Sequence, residues 1–350
     1  MGPKQAAGYL FEEEIRDLLN DSGFVEIKTE TLEGRGTDHQ IDGYGIYSIP
    51  VPFTYPIRII AEAKCYERSI ELPQVRSFFG VITDISENYF VKRGEKTNKI
   101  RYLDTGCFFS ANNFTRNSQD FAWAHNIFLV SFSGINQMEA ITKKILDYLN
   151  QKKTHKLRLG SKKELIVNYR IWKNSVHSED RDLPLKYPTI VFGILDKTYP
   201  VVLVGDKDWN KRIKVMENTD KIEGEKHSRT PQKDGTLFQL NILKKEEFGF
   251  EHVCFTLPAN IAENLIERID QTQWGQKIFD LDIPVIYYYD QEPVRRIVTL
   301  EVILPGLNKR GYYEEIKLKP KSKRSKPHKR HVRANSSMLP DNDSNNTIDD

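Results

Sequence analysis

Cysteine is scarce in this chain: 350 residues carry three, Cys65, Cys107 and Cys254, far apart and with no CxxC pair. That excludes a structural zinc site built on cysteine pairs and fits a reducing, cytoplasmic setting. Long apolar runs are missing as well, since nothing approaches the ~18 consecutive apolar residues of a membrane span. The opening "MGPKQAAGYLFEEE" lacks the apolar core of a secretion signal, and Ala6 stands where a myristoylation signal wants Ser or Thr. His39, His125 and His252 have no partner at metal-ligand spacing. No repeat of fixed period is present.

What is present suffices for real cores, with 39% hydrophobic and 11% aromatic residues. The length makes two domains the default. The net charge of +3 is unevenly spread: nine Lys and Arg against four Asp make the stretch from Lys317 onward +5, leaving −2 for the rest. Binding of nucleic acid by the body therefore calls for a local basic groove.

Residues 1–150 alternate helix and strand signals, as a mixed α/β domain does. "GYLFEEEIRDLLNDSGF" puts Phe11, Ile15, Leu18 and Leu19 on one helical stripe, ending at Gly23. Strand-like "FVEIKTE" follows, then a loop "LEGRGTD", then strands "HQIDGYGIYSI" and "IRIIAEAKCY". "LPQVRSFFGVITDI" reads as a helix entered through Pro73, and "GCFFSA", "FTRNSQDFAWAHN", "IFLVSF" and "QMEAITKKILDYLN" as strand, helix, strand and helix. Residues 151–163 read as a basic linker and 164–316 as a second, α+β, strand-rich domain for recognition or assembly. Its one clear helical signal is "ANIAENLIERIDQ". "IYYYDQEPVRR" reads as ordinary sheet, although its aromatics and arginines could stack bases. From 317 to 350 the Lys/Pro/Ser and then Asn/Asp/Ser composition predicts a disordered tail, basic and then acidic.

One stretch breaks the apolar pattern. In "IIAEAKCYE", Ile57, Ile59, Ala61, Ala63 and Cys65 form one strand face, while Glu62 and Lys64 follow Ile60 on the other. Asp42, twenty positions earlier, ends another candidate strand, and a hairpin would bring it to Glu62. Two neighbouring carboxylates repel, and a divalent cation with oxygen ligands is a natural occupant between them. By spacing alone an E-x-K triplet is common, and it also reads as a solvated ion pair with Asp42 an ordinary turn residue.

Around these residues the sequence resembles the Mrr-like branch of the PD-(D/E)xK nuclease superfamily, over roughly residues 8–150. Five segments follow the family order: the opening helix, "GRGTDHQID", "AEAKCY", "LPQVRSFFGVI" and "CFFSANNFTRNSQDFAWAHNIFLV". The resemblance implies a restriction-endonuclease-like mixed sheet flanked by helices. It implies that Asp42 and Glu62 bind metal, that Lys64 is the catalytic lysine, and that Glu12 is a further ligand or orienting residue. Glu13 is expected on the opposite, solvated side of the first helix, where Glu13→Gln makes a silent control. The first acidic motif lacks the family's usual Pro and offers Asp38 as a competitor to Asp42. Gln74 and Arg35 read as surface or turn residues, with a polar-helper and a phosphate-contact role as their sharper alternatives.

The expected function is a Mg2+-dependent endonuclease acting on DNA, with Mn2+ as substitute metal, in restriction or phage defence. A homodimer is compatible with it. A non-cleaving nucleic-acid-binding or sensor protein on the same fold is the alternative, against which the intact Asp42, Glu62 and Lys64 argue. A structure-specific DNA resolvase is another, against which the additional length argues. A piece ending near Asn150 is expected to stay folded. Removing residues 317–350 is expected to lower the salt dependence of DNA binding, by ~0.9 in log–log slope for each phosphate no longer neutralised. Binding titrations across salt concentrations check this, with an unchanged cleavage pattern.

Overall fold

A computed structural model describes residues 1–47, 55–88, 100–155, 158–179, 188–206, 221–227, 236–243, 250–271, 276–289 and 292–305. The expected tail over 317–350 lies outside the described residues. Among the described residues no helix is long and apolar enough to cross a membrane.

Helix α1 (Pro3–Asp21) opens with proline in its first turn, where the missing N–H costs nothing. Ala7, Leu10, Phe11, Ile15, Leu18 and Leu19 are its buried stripe. Gly23, at φ +89°, takes the left-handed turn that ends it. Short strands β1 (Val25–Lys28), β2 (Thr31–Glu33), β3 (Asp38–Gln40) and β4 (Gly43–Tyr47) follow, then β5 (Ile57–Lys64). Where the sequence suggested a loop, β2 and β3 pair as a hairpin with Gly34–Gly36 at its turn. The clamp is side-chain chemistry that periodicity does not reveal: Asp84 accepts the Gly36 and Thr37 amides at 2.9 and 3.3 Å and binds His39 Nε2 at 2.7 Å.

Helix α2 (Leu72–Ser86), strand β6 (Leu103–Ser110), helix α3 (Arg116–Ala124), strand β7 (Phe128–Ser131) and helix α4 (Asn136–Thr154) complete the first half. The sheet order is β1-β4-β5-β6-β7, antiparallel from β1 to β5 and parallel from β5 to β7, which is the expected mixed sheet. On one face of β5, Ile59, Ala61 and Ala63 join the core of α1 and α4. On the other, Ile60 packs with Val75 and Phe78 of α2 and Phe108 of β6.

Helix α5 (Lys162–Glu179) starts at the end of the stretch read as a basic linker, 151–163, and fills the first part of the region read as a second, strand-rich domain. Leu165 and Tyr169 are fully buried in the α1/α4 core and Trp172 packs against it. Strands β8 (Pro188–Leu195) and β9 (Tyr199–Asp206) form an antiparallel hairpin. With β10 (Lys221–His227), β11 (Thr236–Leu243), β12 (Phe250–Leu257), β13 (Gln276–Tyr289) and β14 (Glu292–Pro305) they close a barrel of order β10-β11-β12-β9-β8-β13-β14. The parallel β10–β14 pair makes the seam. Helix α6 (Ala259–Asp270) buries Ala262, Leu265, Ile266 and Ile269 in the barrel core.

The halves share apolar contact rather than a loose tether. Ser22 Oγ, at the end of α1, accepts the Ile190 amide at 2.8 Å. Phe192 of β8 meets Phe24 edge-on at 5.9 Å and Phe128 at 4.8 Å. Arg116 of α3 donates to Asn260 of α6 at 2.9 Å. Ile190, Val204 and Cys254 of the barrel belong to the same cluster as Phe11 and Tyr148.

Candidate active site

The β4–β5 register sets Gly43 against Ala61, so Asp42 stands one step beyond β4, level with Glu62. Past that point β4 no longer supplies backbone partners, and the Asp42 carboxylate takes over: Oδ2 accepts the Ala63 amide at 2.8 Å. The same oxygen lies 3.4 Å from Lys64 Nζ, which also contacts Glu62. Asp42, Glu62 and Lys64 thus converge, and all three are only partly exposed.

Electrostatics adds Glu12 of α1. Burial pushes its carboxyl up and Asp42 adds to this, while Lys162 and Arg16 pull it back. Burial likewise raises Glu62, with Asp42 and Glu12 adding and Lys64 opposing. Burial works against the charge on Lys64, but Glu62 and Asp42 outweigh it and its pKa is raised. The arrangement is a pocket of carboxylates held together by a few cations.

Among the described residues no three His, Cys, Asp or Glu side chains form a metal cage. Two hard carboxylates with open positions around them are the set from which Mg2+ is usually held, since it keeps several waters and takes phosphate oxygens. The donor chemistry therefore fits a divalent cation of this kind on Asp42 and Glu62.

Residues 4–138 match the family model described as restriction endonuclease, of the Mrr catalytic type. This stretch is similar to Mrr-like restriction-endonuclease domains. No curated protein matches the chain. The solved structure of AF1548, a protein of unknown function, aligns over 48% of this chain and 98% of its own, at 15% identity and a TM-score of 0.30. The match over 4–138 supports a nuclease role for the Mrr-like domain, and it contains Glu12, Asp42, Glu62 and Lys64.

Other candidates fall elsewhere. Asp38 sits exposed on β3, opposite Glu33, and not among the converging groups. His125 lies against Phe79 and Phe121, each 4.2 Å away. Gln74 completes a capping box at the start of α2, its Oε1 accepting the Glu71 amide at 2.9 Å. Arg35 pairs with Glu87 at 3.0 Å on the surface.

Glu13 corrects the sequence reading. It is not solvated but 1% exposed, bound by Arg16 of its own helix and by Arg170 of α5. Glu14 is buried too, accepting from Tyr169 Oη at 2.7 Å and Lys173 Nζ at 2.8 Å. The reason is α5, which covers the face a helical wheel of α1 alone assigns to water. Arg16 was also missed; it donates to Thr29 Oγ1 at 2.5 Å and lies 3.5 Å from the Asp42 carbonyl, so it anchors the turn that carries Asp42. Its only signal in the sequence is its place one helical turn after Glu12. Glu13→Gln is therefore not a silent control. It is expected to cost about 2 kcal/mol, below the full figure for breaking a buried ion pair because Arg170 opens to water. Urea unfolding of the two proteins checks it.

Proposed function

We propose that the chain is a metal-dependent endodeoxyribonuclease acting in restriction or phage defence, with Mg2+ as its metal and Mn2+ as a substitute. The observation that supports this most is the meeting of Asp42, Glu62 and Lys64 at the ends of paired strands inside the Mrr-like domain. Asp42 and Glu62 would hold the divalent cation, which would supply Lewis acidity and lower the pKa of a water for attack on phosphorus. Lys64, fixed between the carboxylates, orients that water and offsets charge on the developing phosphorane. Glu12 orders the water on the α1 side. The barrel positions the DNA, and homodimeric assembly brings a second such site to the other strand.

Supercoiled plasmid, modified and unmodified, incubated with Mg2+ and with chelator tests the reading. Nicked or linear product only with the metal is expected. Unchanged plasmid under all conditions, with DNA retained in a binding assay, replaces nuclease by binding protein.

A further inference from the structure

Lys162 is the first residue of α5, well beyond the matched stretch 4–138. Its Nζ donates to Glu12 Oε2 at 2.8 Å and lies 4.2 Å above the Tyr9 ring. We propose that Lys162 is a positioning residue of the active site, a fixed cation that aims Glu12 and lowers the site's hold on its divalent metal. The inference rests on the metal-dependent reading above.

An exposed Lys–carboxylate pair normally contributes little, because two long side chains must be ordered in water. This pair is ordered from both ends. The start of α5 is fixed by a capping box, in which Glu164 Oε2 accepts from the Ser161 amide at 2.8 Å and from its hydroxyl at 3.0 Å, while the Glu164 amide donates back to Ser161 Oγ at 3.3 Å. Leu165 and Tyr169 then bury the next two turns against α1 and α4. On the other side, Glu12 rides on a helix whose Leu10, Phe11 and Ile15 are in the core. The ammonium therefore has little freedom, and the ring of Tyr9 adds a cation–π contact.

The consequence is electrostatic. Glu12 is within electrostatic reach of both carboxylates: Asp42 helps to push the Glu12 carboxyl up, and Glu12 helps to push up that of Glu62. A cation bound to Glu12 removes part of the negative charge that a divalent ion meets at those residues. A residue serving structure alone lowers metal affinity when it is removed. A charge-opposing residue raises it.

Lys162→Met in the full chain tests the difference, with Mn2+ binding followed by electron paramagnetic resonance and cleavage followed on plasmid. Mn2+ affinity is expected to rise about tenfold, the scale of one unit charge removed near a partly exposed site. The kcat is expected to fall roughly tenfold, as for residues that orient a metal centre's neighbours, with KM for DNA nearly unchanged. Lys162→Arg restores both, and Lys163→Met, one residue along on an exposed position, changes neither. A Lys162→Met protein with native unfolding temperature whose Mn2+ affinity is unchanged or lower overturns the inference. Wild type that binds Mn2+ without cutting DNA overturns the nuclease reading, while the affinity shift still decides the role of Lys162. Wild type that binds no Mn2+ overturns both.

Discussion

Asp42→Asn and Glu62→Gln are each expected to abolish Mg2+-dependent cleavage and to weaken Mn2+ binding together with it. Either change keeps the side chain's shape and removes one of the two charged oxygen ligands proposed above. Lys64→Ala separates the two readouts: both carboxylates remain, so metal still binds, while the rate falls at least roughly a hundredfold, the scale for losing one positioned donor to the transition state. DNA binding survives in the lysine variant, because most phosphate contacts lie elsewhere. Stability adds a second signature. Glu62 is held with its pKa raised, so its charged form costs the metal-free protein stability as pH rises above the usual carboxylate range. Glu62→Gln relieves that cost and leaves the metal-free unfolding temperature at or above wild type. Lys64→Ala strips the cation from between Asp42 and Glu62, unfolds earlier, and recovers when divalent metal is added. Cleavage by Lys64→Ala at the wild-type rate removes the proposed mechanism.

The second large effect concerns the chain ending near Asn150. Taken from the sequence, that piece has a complete set of layers and should fold. In the structure it gives up Leu165, Tyr169, Ile190, Val204 and Cys254 from the cluster that also holds Phe11, Ile59 and Tyr148. It also uncovers Phe24 and Phe128, on which Phe192 rests. Burying a side chain of Leu or Ile size is worth about 1.5–3 kcal/mol. Several removed together reach the ~5–15 kcal/mol by which a whole domain is stable. We expect residues 1–150 to be insoluble, or to lack a cooperative thermal transition, while 1–310 unfolds in one step. Circular dichroism melts compare them. A sharp transition of 1–150 near the full-length temperature means the Mrr-like domain folds alone and the boundary belongs where the sequence put it.

Local signals carried much of this molecule. The stripe Phe11–Ile15–Leu18 announced α1, alternation announced β5, and helix α6 stood out by pattern. The convergence of Asp42 with Glu62 followed from one assumption, that their strands pair, which the Gly43–Ala61 register meets. What stayed hidden depends on partners distant in the chain. Lys162 and Arg170 lie about 150 residues from the glutamates they bind, and no period links them. Helix α5 carries Leu165, Tyr169 and Trp172 at helical spacing, a stripe the sequence reading passed over, and buries Lys173 beside them. The same omission turned Glu13 into a surface residue.

Strand β5 lies in the middle of its sheet, bonded to β4 on one side and β6 on the other, with a core cluster against each face. A segment so placed opens only with the whole fold, and its amides belong among the last to exchange with solvent. Glu62 and Lys64 therefore have almost no backbone play with which to follow a substrate. On the proposed nuclease reading, whatever distortion brings a phosphodiester to these groups has to be borne by the nucleic acid, so sequences that bend easily would gain an advantage at the cut that no base contact confers.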